Sequence, residues 1–277
     1  MEHNIPVLKI EAENLPSAWE QAVMLCWEKG ISIKTEYDKP EDPASKDCTM
    51  IVVVQDPFSE PRIHKGFPGG LEDLEIYLQE VVLGVHDHWI NPDEGMWTYT
   101  YHKRLFGFEN ELKTKTVDQI AYIVDKLVEA GYSRRAQAIT WNVMTDPPTT
   151  DPPCLQRVWC RVIQHDGKLF LNMNTHWRSR DAFKAAYMNM FALTGLQRYI
   201  AEEISQRIRK NVLIGRYVDI SDSFHVYGSY FEDFKKFIEL QNSKTFEQRT
   251  WDASFAKPMF DEAKEKLAND PDFQRSK

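Results

Sequence analysis

The chain has 277 residues, 42% hydrophobic and 27% charged, with 34 basic against 42 acidic side chains for a formal charge of −8. That apolar content supports a sizeable core and excludes disorder and low-complexity scaffolding. The acidic balance argues against bulk binding to DNA or an anionic membrane, yet leaves room for a local arginine cluster around one small anion. Cys26, Cys48, Cys154 and Cys160 show no CxxC spacing, so neither a zinc site nor a disulfide framework is expected. The start, MEHNIPVLKIEAENLP, never reaches an apolar signal core, and the longest apolar runs, such as 50–54, are strand-sized. A soluble cytoplasmic protein is the expectation.

Residues 15–30 place Trp19, Val23, Leu25, Cys26 and Trp27 at apolar positions and end on glycine, which predicts a helix. Residues 34–47 carry two prolines and many charges and read as a loop, whereas the β-branched run 49–54 reads as a strand. After the turn Phe67-Pro-Gly-Gly70, apolar positions 71, 74, 78, 81 and 82 predict a helix over 71–83. Val117, Ile120, Val124, Leu127 and Val128 form the stripe of an amphipathic helix over 117–130. Residues 136–141 read as a strand, followed by a proline-rich loop over 146–153. His165-Asp-Gly167, between strands over 156–163 and 168–177, is a hairpin signal. A long helix over 183–208 follows, on the stripe Tyr187, Met190, Leu193, Leu196, Ile200 and Ile204. Strands over 212–220 and 224–227 and a helix over 230–240 complete the pattern. No repeat or linker divides the chain. The expected fold is a single α+β domain over 1–277, with a large mixed β-sheet covered by long helices.

Cys154 follows Asp151-Pro-Pro153, whose prolines stiffen the backbone and set the thiol at a loop-to-strand edge. A lone cysteine is by default a buried structural one. Arg178, in Trp177-Arg-Ser-Arg-Asp181 at the end of the partner strand, changes that expectation, because a guanidinium beside a thiol favours the nucleophilic thiolate. Ser133-Arg-Arg135 lies past the carboxyl end of a helix. It reads either as a cationic helix cap or as a clamp that matches phosphate oxygens bidentately. His86-Asp-His88 lacks a third ligand at a recognisable spacing and reads as a surface loop, with no metal expected. Trp89 and Trp97 flank it, either as half-exposed core residues or as a ring-stacking platform.

Together these segments resemble the thymidylate synthase family. Val117-Asp-Gln-Ile120, Ser133-Arg-Arg135 and Trp141-Asn142 are similar to its helix, its phosphate arginines and the strand that follows. Pro152-Pro-Cys154 is similar to its nucleophile loop, and Arg178-Ser-x-Asp181 with Asn189 to its Arg-Ser-x-Asp…Asn segment. Asp222-x-x-His-x-Tyr227 resembles its Asp-x-His-x-Tyr ending, with one extra residue. The resemblance runs from 67 to 230 and is faint outside those limits.

The resemblance implies a thymidylate synthase-like fold working as an obligate sheet-to-sheet homodimer. The implied reaction moves a one-carbon unit from 5,10-methylenetetrahydrofolate to C5 of a pyrimidine nucleoside 5′-monophosphate, dUMP to dTMP, without a metal. Cys154 would add to C6 of the ring, with Tyr101 beside it. Arg178 would bind the 5′-phosphate and lower the thiol pKa. Ser179 would add a phosphate hydrogen bond, and Arg134 and Arg135 would reach that phosphate from the other subunit. His225 and Tyr227 would bind the sugar 3′-hydroxyl. Asp181 would face the folate pterin, and Trp89 would stack on it. Glu80 is implied as the acid–base glutamate, with Glu75 and Glu72 of the same helix as alternatives. The Asn189 carboxamide suits uracil N3–H and O4, where an aspartate suits cytosine.

The chain also departs from the family pattern. Leu155 replaces a histidine after the cysteine, and Ala-Ala-Tyr-Met-Asn189 replaces Gly-x-Pro-Phe-Asn. Lys46 and Arg62 are the candidates for the amino-terminal phosphate contact. Phe273-Gln-Arg-Ser-Lys277 lacks the apolar closing tail that shields hydride transfer. Capture by water instead of hydride would give a hydroxymethyl product. A uridylate or cytidylate 5-hydroxymethylase is therefore the second reading. The third is a non-catalytic nucleotide- or RNA-binding homologue, disfavoured by the joint presence of Cys154, Arg178, Asn189 and His225.

Overall fold

The computed structural model describes residues 4–110, 112 and 114–270, so the closing segment 273–277 lies outside the described residues. In chain order the elements begin with β1 (Val7–Ala12), α1 (Leu15–Lys29), β2 (Ile31–Ile33), β3 (Ser45–Val54), β4 (Ile63–His64), α2 (Leu71–Leu83) and α3 (Tyr101–Phe106). Next come β5 (Phe108–Glu109), β6 (Thr116–Val117), α4 (Gln119–Glu129), β7 (Gln137–Ile139), β8 (Leu155–His165) and β9 (Lys168–Trp177). The chain ends with β10 (Arg180–Asp181), α5 (Ala186–Ile208), β11 (Val212–Val226), α6 (Phe231–Ser243), β12 (Thr250–Trp251) and α7 (Ala253–Ala268). Two units form. The first holds the chain up to Gly69 with His176–Met190 and Arg216–Lys257; the second holds Gly70–Thr175, Phe191–Gly215 and the chain from Pro258.

In the first unit, the Asn14 side chain accepts the Ser17 N–H at 3.1 Å and Pro16 sits in the first turn, which starts α1 where the apolar pattern begins. β1 runs parallel to β3, β2 and β11 run antiparallel to it, and β10 lies parallel to β11. The large sheet is therefore mixed, and the fold is α+β as expected. β3 starts at Ser45, inside the expected loop, because Ser45, Lys46 and Asp47 pair with β2. The strands expected at 212–220 and 224–227 are one strand, β11, interrupted by a bulge between Ser221 and Phe224.

Trp19 anchors the first core, with the rings of His64, Tyr187 and Phe237 between 5.0 and 5.3 Å away. Asp219 accepts from Arg180 (2.6 Å), from Trp177 Nε1 (3.1 Å) and from the Tyr217 hydroxyl (2.7 Å). The Arg180 guanidinium also lies 3.9 Å over the Trp177 ring. A buried guanidinium needs such pairing.

Glu20 forms the other buried ionic knot. Its Oε1 accepts from Arg249 at 2.6 Å and its Oε2 lies 2.7 Å from His64 Nε2, while His64 Nδ1 accepts the Gly66 N–H. Burial opposes the Glu20 charge, but hydrogen bonds from His64 and Arg249 outweigh it and hold the carboxyl at about 2, against an ordinary 4.5. A depressed carboxyl stabilises the fold above its unfolded pKa, and the contribution is lost as pH falls through the folded value. Stability should therefore drop between about pH 4.5 and 2, by on the order of 3 kcal/mol from this group. Urea unfolding across that range should show the segment in the wild type and its absence in Glu20→Gln. Identical pH profiles would contradict the assignment.

In the second unit, β7 pairs antiparallel with β8, and β8 turns into β9 through Asp166 (φ 47°) and Gly167 (φ 73°). Two left-handed residues in a row make the tight hairpin turn that Asp-Gly favours. In α4, Asp118 caps Ala121 N–H at 2.8 Å, and Ile120, Ile123, Val124 and Leu127 are buried. Val117 departs from the expected stripe: it lies in β6, 41% exposed, one residue before the cap. The helix α2 has the expected bounds. α5 starts at Ala186 rather than 183, and all six residues of its expected stripe are buried. Among the described residues no helix is long and apolar enough to cross a membrane.

Candidate active site

Cys154 sits where a polar loop becomes a strand. Asp146 organises that loop: it accepts from Arg104 at 2.6 Å, from Asn142 N–H at 2.7 Å and, through its carbonyl, from Thr149 N–H at 3.0 Å. β8 begins at Leu155, which leaves Cys154 half-buried at its mouth, while the other three cysteines are fully buried. The Leu155 N–H donates to the Tyr101 hydroxyl at 3.2 Å, so Tyr101 is next to the thiol in space as well as by analogy.

Tyr101 opens α3, where the Thr100 hydroxyl accepts the Lys103 N–H at 3.0 Å. Gln119, from the Val-Asp-Gln-Ile segment, ties three elements together. Its amide donates to the carbonyls of Arg104 and Ile139 and accepts the Ile139 N–H. Tyr99 packs 5.5 Å from Tyr101. Burial pushes its phenol well above the usual range, and the negative potential of Tyr101, Cys154 and Asp151 adds to the shift. Tyr99 is thus a neutral neighbour of the thiol, and sequence reasoning gave it no role.

A cavity of roughly 410 Å³ opens in this unit, lined among others by Tyr77, Glu80, Trp97, Tyr99, Tyr101 and Asp151. Of the three candidate glutamates, Glu80 is the one that lines it. Glu72 pairs with Lys266 at 3.1 Å, and Glu75 is buried against Gln79 and Lys264. Glu80 Oε2 lies 3.0 Å from His86 Nδ1. Gly84 makes this possible: at φ 67° it turns the chain back after α2, and a Cβ there would collide with the His102 ring. His86 stacks on Trp89 at 3.8 Å, and Trp89 meets Trp97 edge-on at 4.9 Å. One face of Trp89 is therefore covered by His86, and Trp97 is the indole on the cavity wall. Asp87 holds His102 and Thr100, so the His86-Asp-His88 segment is a hydrogen-bonded turn.

Arg134 and Arg135 are both exposed. α4 ends on its own backbone, Ala130 N–H to Lys126 carbonyl, and Trp159 Nε1 donates to the Arg134 carbonyl at 3.2 Å.

The first unit holds the remaining candidates. Arg178 and Ser179 are half-buried between Trp177 and the short strand β10. Asp181 Oδ1 accepts the N–H groups of Phe183 (3.0 Å) and Lys184 (2.8 Å), which sets the turn that enters α5. Burial raises its carboxyl despite those bonds. Asn189 is 9% exposed on the first turn of α5. His225 is 4% exposed, its ring 4.5 Å from that of Tyr227, and burial lowers its pKa to about 4. Arg62 is buried over the Phe58 ring and donates to the Pro57 carbonyl, so the first unit uses it internally.

A family model described as Thymidylate synthase matches residues 70–262. The protein described as "Putative thymidylate synthase" from Methanosarcina acetivorans is 30% identical over 218 residues, which cover 79% of this chain and 88% of its own length. A protein of the same description from Methanocaldococcus jannaschii is 28% identical over 226 residues, covering 80% and 91%. Among solved structures, thermostable thymidylate synthase A from Bacillus subtilis matches with a TM-score of 0.60 at 20% identity, over 82% of this chain and 84% of that one. The last likeness is one of fold.

Proposed function

Because the chain belongs to the thymidylate synthase family, we propose that it transfers a one-carbon unit to C5 of a pyrimidine nucleotide, most simply dUMP to dTMP. The observation that carries the reading is Cys154 beside Tyr101 and Tyr99, next to a cavity into which Glu80 projects. In this reading the Cys154 thiolate adds to C6 of the uracil ring, and the C5–C6 electron pair moves towards O4. C5 becomes an enolate-like carbon nucleophile. Glu80, held by His86, moves protons and orders water at the pyrimidine carbonyl. Arg178 and Ser179 bind the 5′-phosphate, Asn189 pairs with N3–H and O4, and His225 with Tyr227 takes the 3′-hydroxyl.

The cavity walls suit 5,10-methylenetetrahydrofolate, since Trp97, Tyr99 and Tyr101 offer ring faces and Glu80 a carboxylate for a flat N–H-bearing heterocycle. When bound, the folate supplies the one-carbon unit and, for a methyl product, the hydride. Because His86 covers one face of Trp89 and Trp97 lines the cavity, Trp97 is the ring proposed to stack on the folate, and Asp181 is proposed to face the pterin. The whole chain acts as one catalytic domain of a cytoplasmic homodimer. Mass spectrometry of the products from dUMP, UMP, dCMP and CMP with methylenetetrahydrofolate tests the reading. A product from dUMP one CH₂ unit heavier is expected. A hydroxymethyl product would move the chain to the second reading, and no product from any of the four would reject both.

The arginine pair gives a separate expectation. If Arg134 and Arg135 bind phosphate in the partner's site, mixing inactive Cys154→Ala chains with inactive Arg134→Glu/Arg135→Glu chains should restore activity. One intact site of two per mixed dimer should give about half the wild-type rate per heterodimer, and the Arg134→Glu/Arg135→Glu chains are inactive alone because each lost charge-assisted phosphate bond costs roughly 1.5–3 kcal/mol. No recovery in heterodimers verified by native mass spectrometry would reject the sharing.

A further inference from the structure

The bulge in β11 places an unusual chain of polar groups beside the proposed sugar site. Ser221 faces Met50 of β3 and Phe224 faces Cys48, so Asp222 and Ser223 together stand opposite the single residue Thr49. The extra residue in the Asp222-x-x-His-x-Tyr227 segment coincides with this bulge. Three elements pin it. The Phe224 carbonyl accepts from the thiols of Cys26 (3.1 Å) and Cys48 (3.6 Å), the Thr49 hydroxyl donates to the Asp222 carbonyl (2.9 Å), and His176 Nε2 lies 3.0 Å from the Asp222 carboxylate.

Ser223 and His225, two residues apart, point to the same side of the strand. Asp47 is the cross-strand neighbour of His225. The Ser223 hydroxyl donates to Asp47 Oδ2 at 2.7 Å and lies 3.1 Å from His225 Nδ1. A serine hydroxyl has one proton, and a carboxylate only accepts while it is ionised; burial raises the Asp47 carboxyl, and the bonds from the Ser223 hydroxyl and the Cys48 N–H favour its charged form. With that proton spent on Asp47, the Ser223 oxygen meets Nδ1 with a lone pair, so the ring must supply an Nδ1–H. Nε2 is then the acceptor nitrogen. It is buried and has no hydrogen-bond partner among the described residues. Burial also disfavours the doubly protonated ring, which would offer two donors and no acceptor.

We infer that Asp47 and Ser223 are positioning residues that lock His225 as an Nδ1–H tautomer, so that Nε2 selects ligands carrying a hydroxyl donor at that point. The inference rests on the proposed nucleotide reading, in which that donor is the sugar 3′-hydroxyl. A nucleotide whose hydroxyl is removed or oxidised to a carbonyl leaves Nε2 buried and unpaired, and one whose hydroxyl is phosphorylated adds bulk and charge where an acceptor faces it.

Nitrogen-15 NMR of the histidine-labelled full chain reads the tautomer without any ligand, with the His225 signal identified by its loss in His225→Gln. The expected wild-type spectrum shows Nδ1 protonated and Nε2 bare; an Nε2–H tautomer would overturn the relay. Calorimetry with dUMP and with 2′,3′-dideoxyuridine 5′-monophosphate supplies the second arm. Ser223→Ala should weaken dUMP binding about tenfold and leave the dideoxy nucleotide unchanged. Equal weakening of both, or of neither, would reduce Ser223 to a structural residue. If the wild type binds neither nucleotide, the nucleotide reading falls, and the tautomer measurement alone decides the relay.

Discussion

Cys154→Ala is expected to lose turnover entirely while keeping the nucleotide. In the proposed reaction the thiol supplies the covalent bond to C6, and neither tyrosine beside it can take that role. Tyr99 has a phenol held neutral by burial, and the Tyr101 hydroxyl is engaged by the Leu155 N–H. Affinity has a different source, the charge-assisted bonds to phosphate proposed for Arg178, Arg134 and Arg135. Nucleotide Kd should therefore change by no more than about twofold, while exchange of the C5 hydrogen falls below about a hundredth of wild type. Exchange above that level in the alanine variant would show that another group adds to the ring. A collapse of binding together with exchange would show that the loop from Asp146 to Cys154 had been disrupted instead.

Asn189→Asp should move preference from uracil towards cytosine nucleotides, by on the order of a thousandfold in the ratio of kcat/KM values. In the proposed pairing the amide oxygen would accept from uracil N3–H and the amide nitrogen would donate to O4. An aspartate has no donor for O4 when ionised, and when protonated it can donate to cytosine N3 and accept from N4. Asn189 is nearly buried near the start of a long helix, so the new carboxyl cannot simply turn to solvent. An unchanged uracil-to-cytosine ratio would mean that the base is read elsewhere.

Both expectations rest on residues that sequence alone brought forward, and the elements carrying them were legible for identifiable reasons. Asp166-Gly167 needs two left-handed residues, which only a tight hairpin turn would use, and the strands follow on either side. The stripe of α5 repeats at helical spacing over its whole length, and every member is buried. The bounds that differed were set by pairing, by a bulge or by a cap that residue spacing does not show. Ser45–Asp47 carries loop-like residues and becomes strand because β2 supplies a ladder. The bulge in β11 interrupts an alternation that a sequence reader takes for a gap between strands. Val117 fits the helical stripe by spacing, yet Asp118 caps the helix and leaves the valine outside.

The site divides the same way. Cys154 and Tyr101 were found by motif, and their proximity becomes visible only through the Leu155 hydrogen bond. Glu80, Glu75 and Glu72 are equivalent in sequence; α7, which no pattern announced, takes Glu75 and Glu72 with Lys264 and Lys266 and distinguishes them from Glu80. Arg178 and Arg180 stand two apart in one motif, and Asp219 draws Arg180 into the core. Ser223 and Asp47 carried no signal, since a serine beside a histidine is common and the aspartate comes from another strand.

In the proposed reaction Cys154 activates C5 of a pyrimidine nucleotide for one-carbon transfer, and release of the C5 hydrogen reads that step. With dUMP tritiated at C5 and methylenetetrahydrofolate, each product molecule should release one C5 hydrogen to water, whether a methyl or a hydroxymethyl group is formed. Folate-dependent release equal to product, abolished in Cys154→Ala, is the expected result. Product that retains its C5 tritium, or release unaffected by the loss of Cys154, would contradict it.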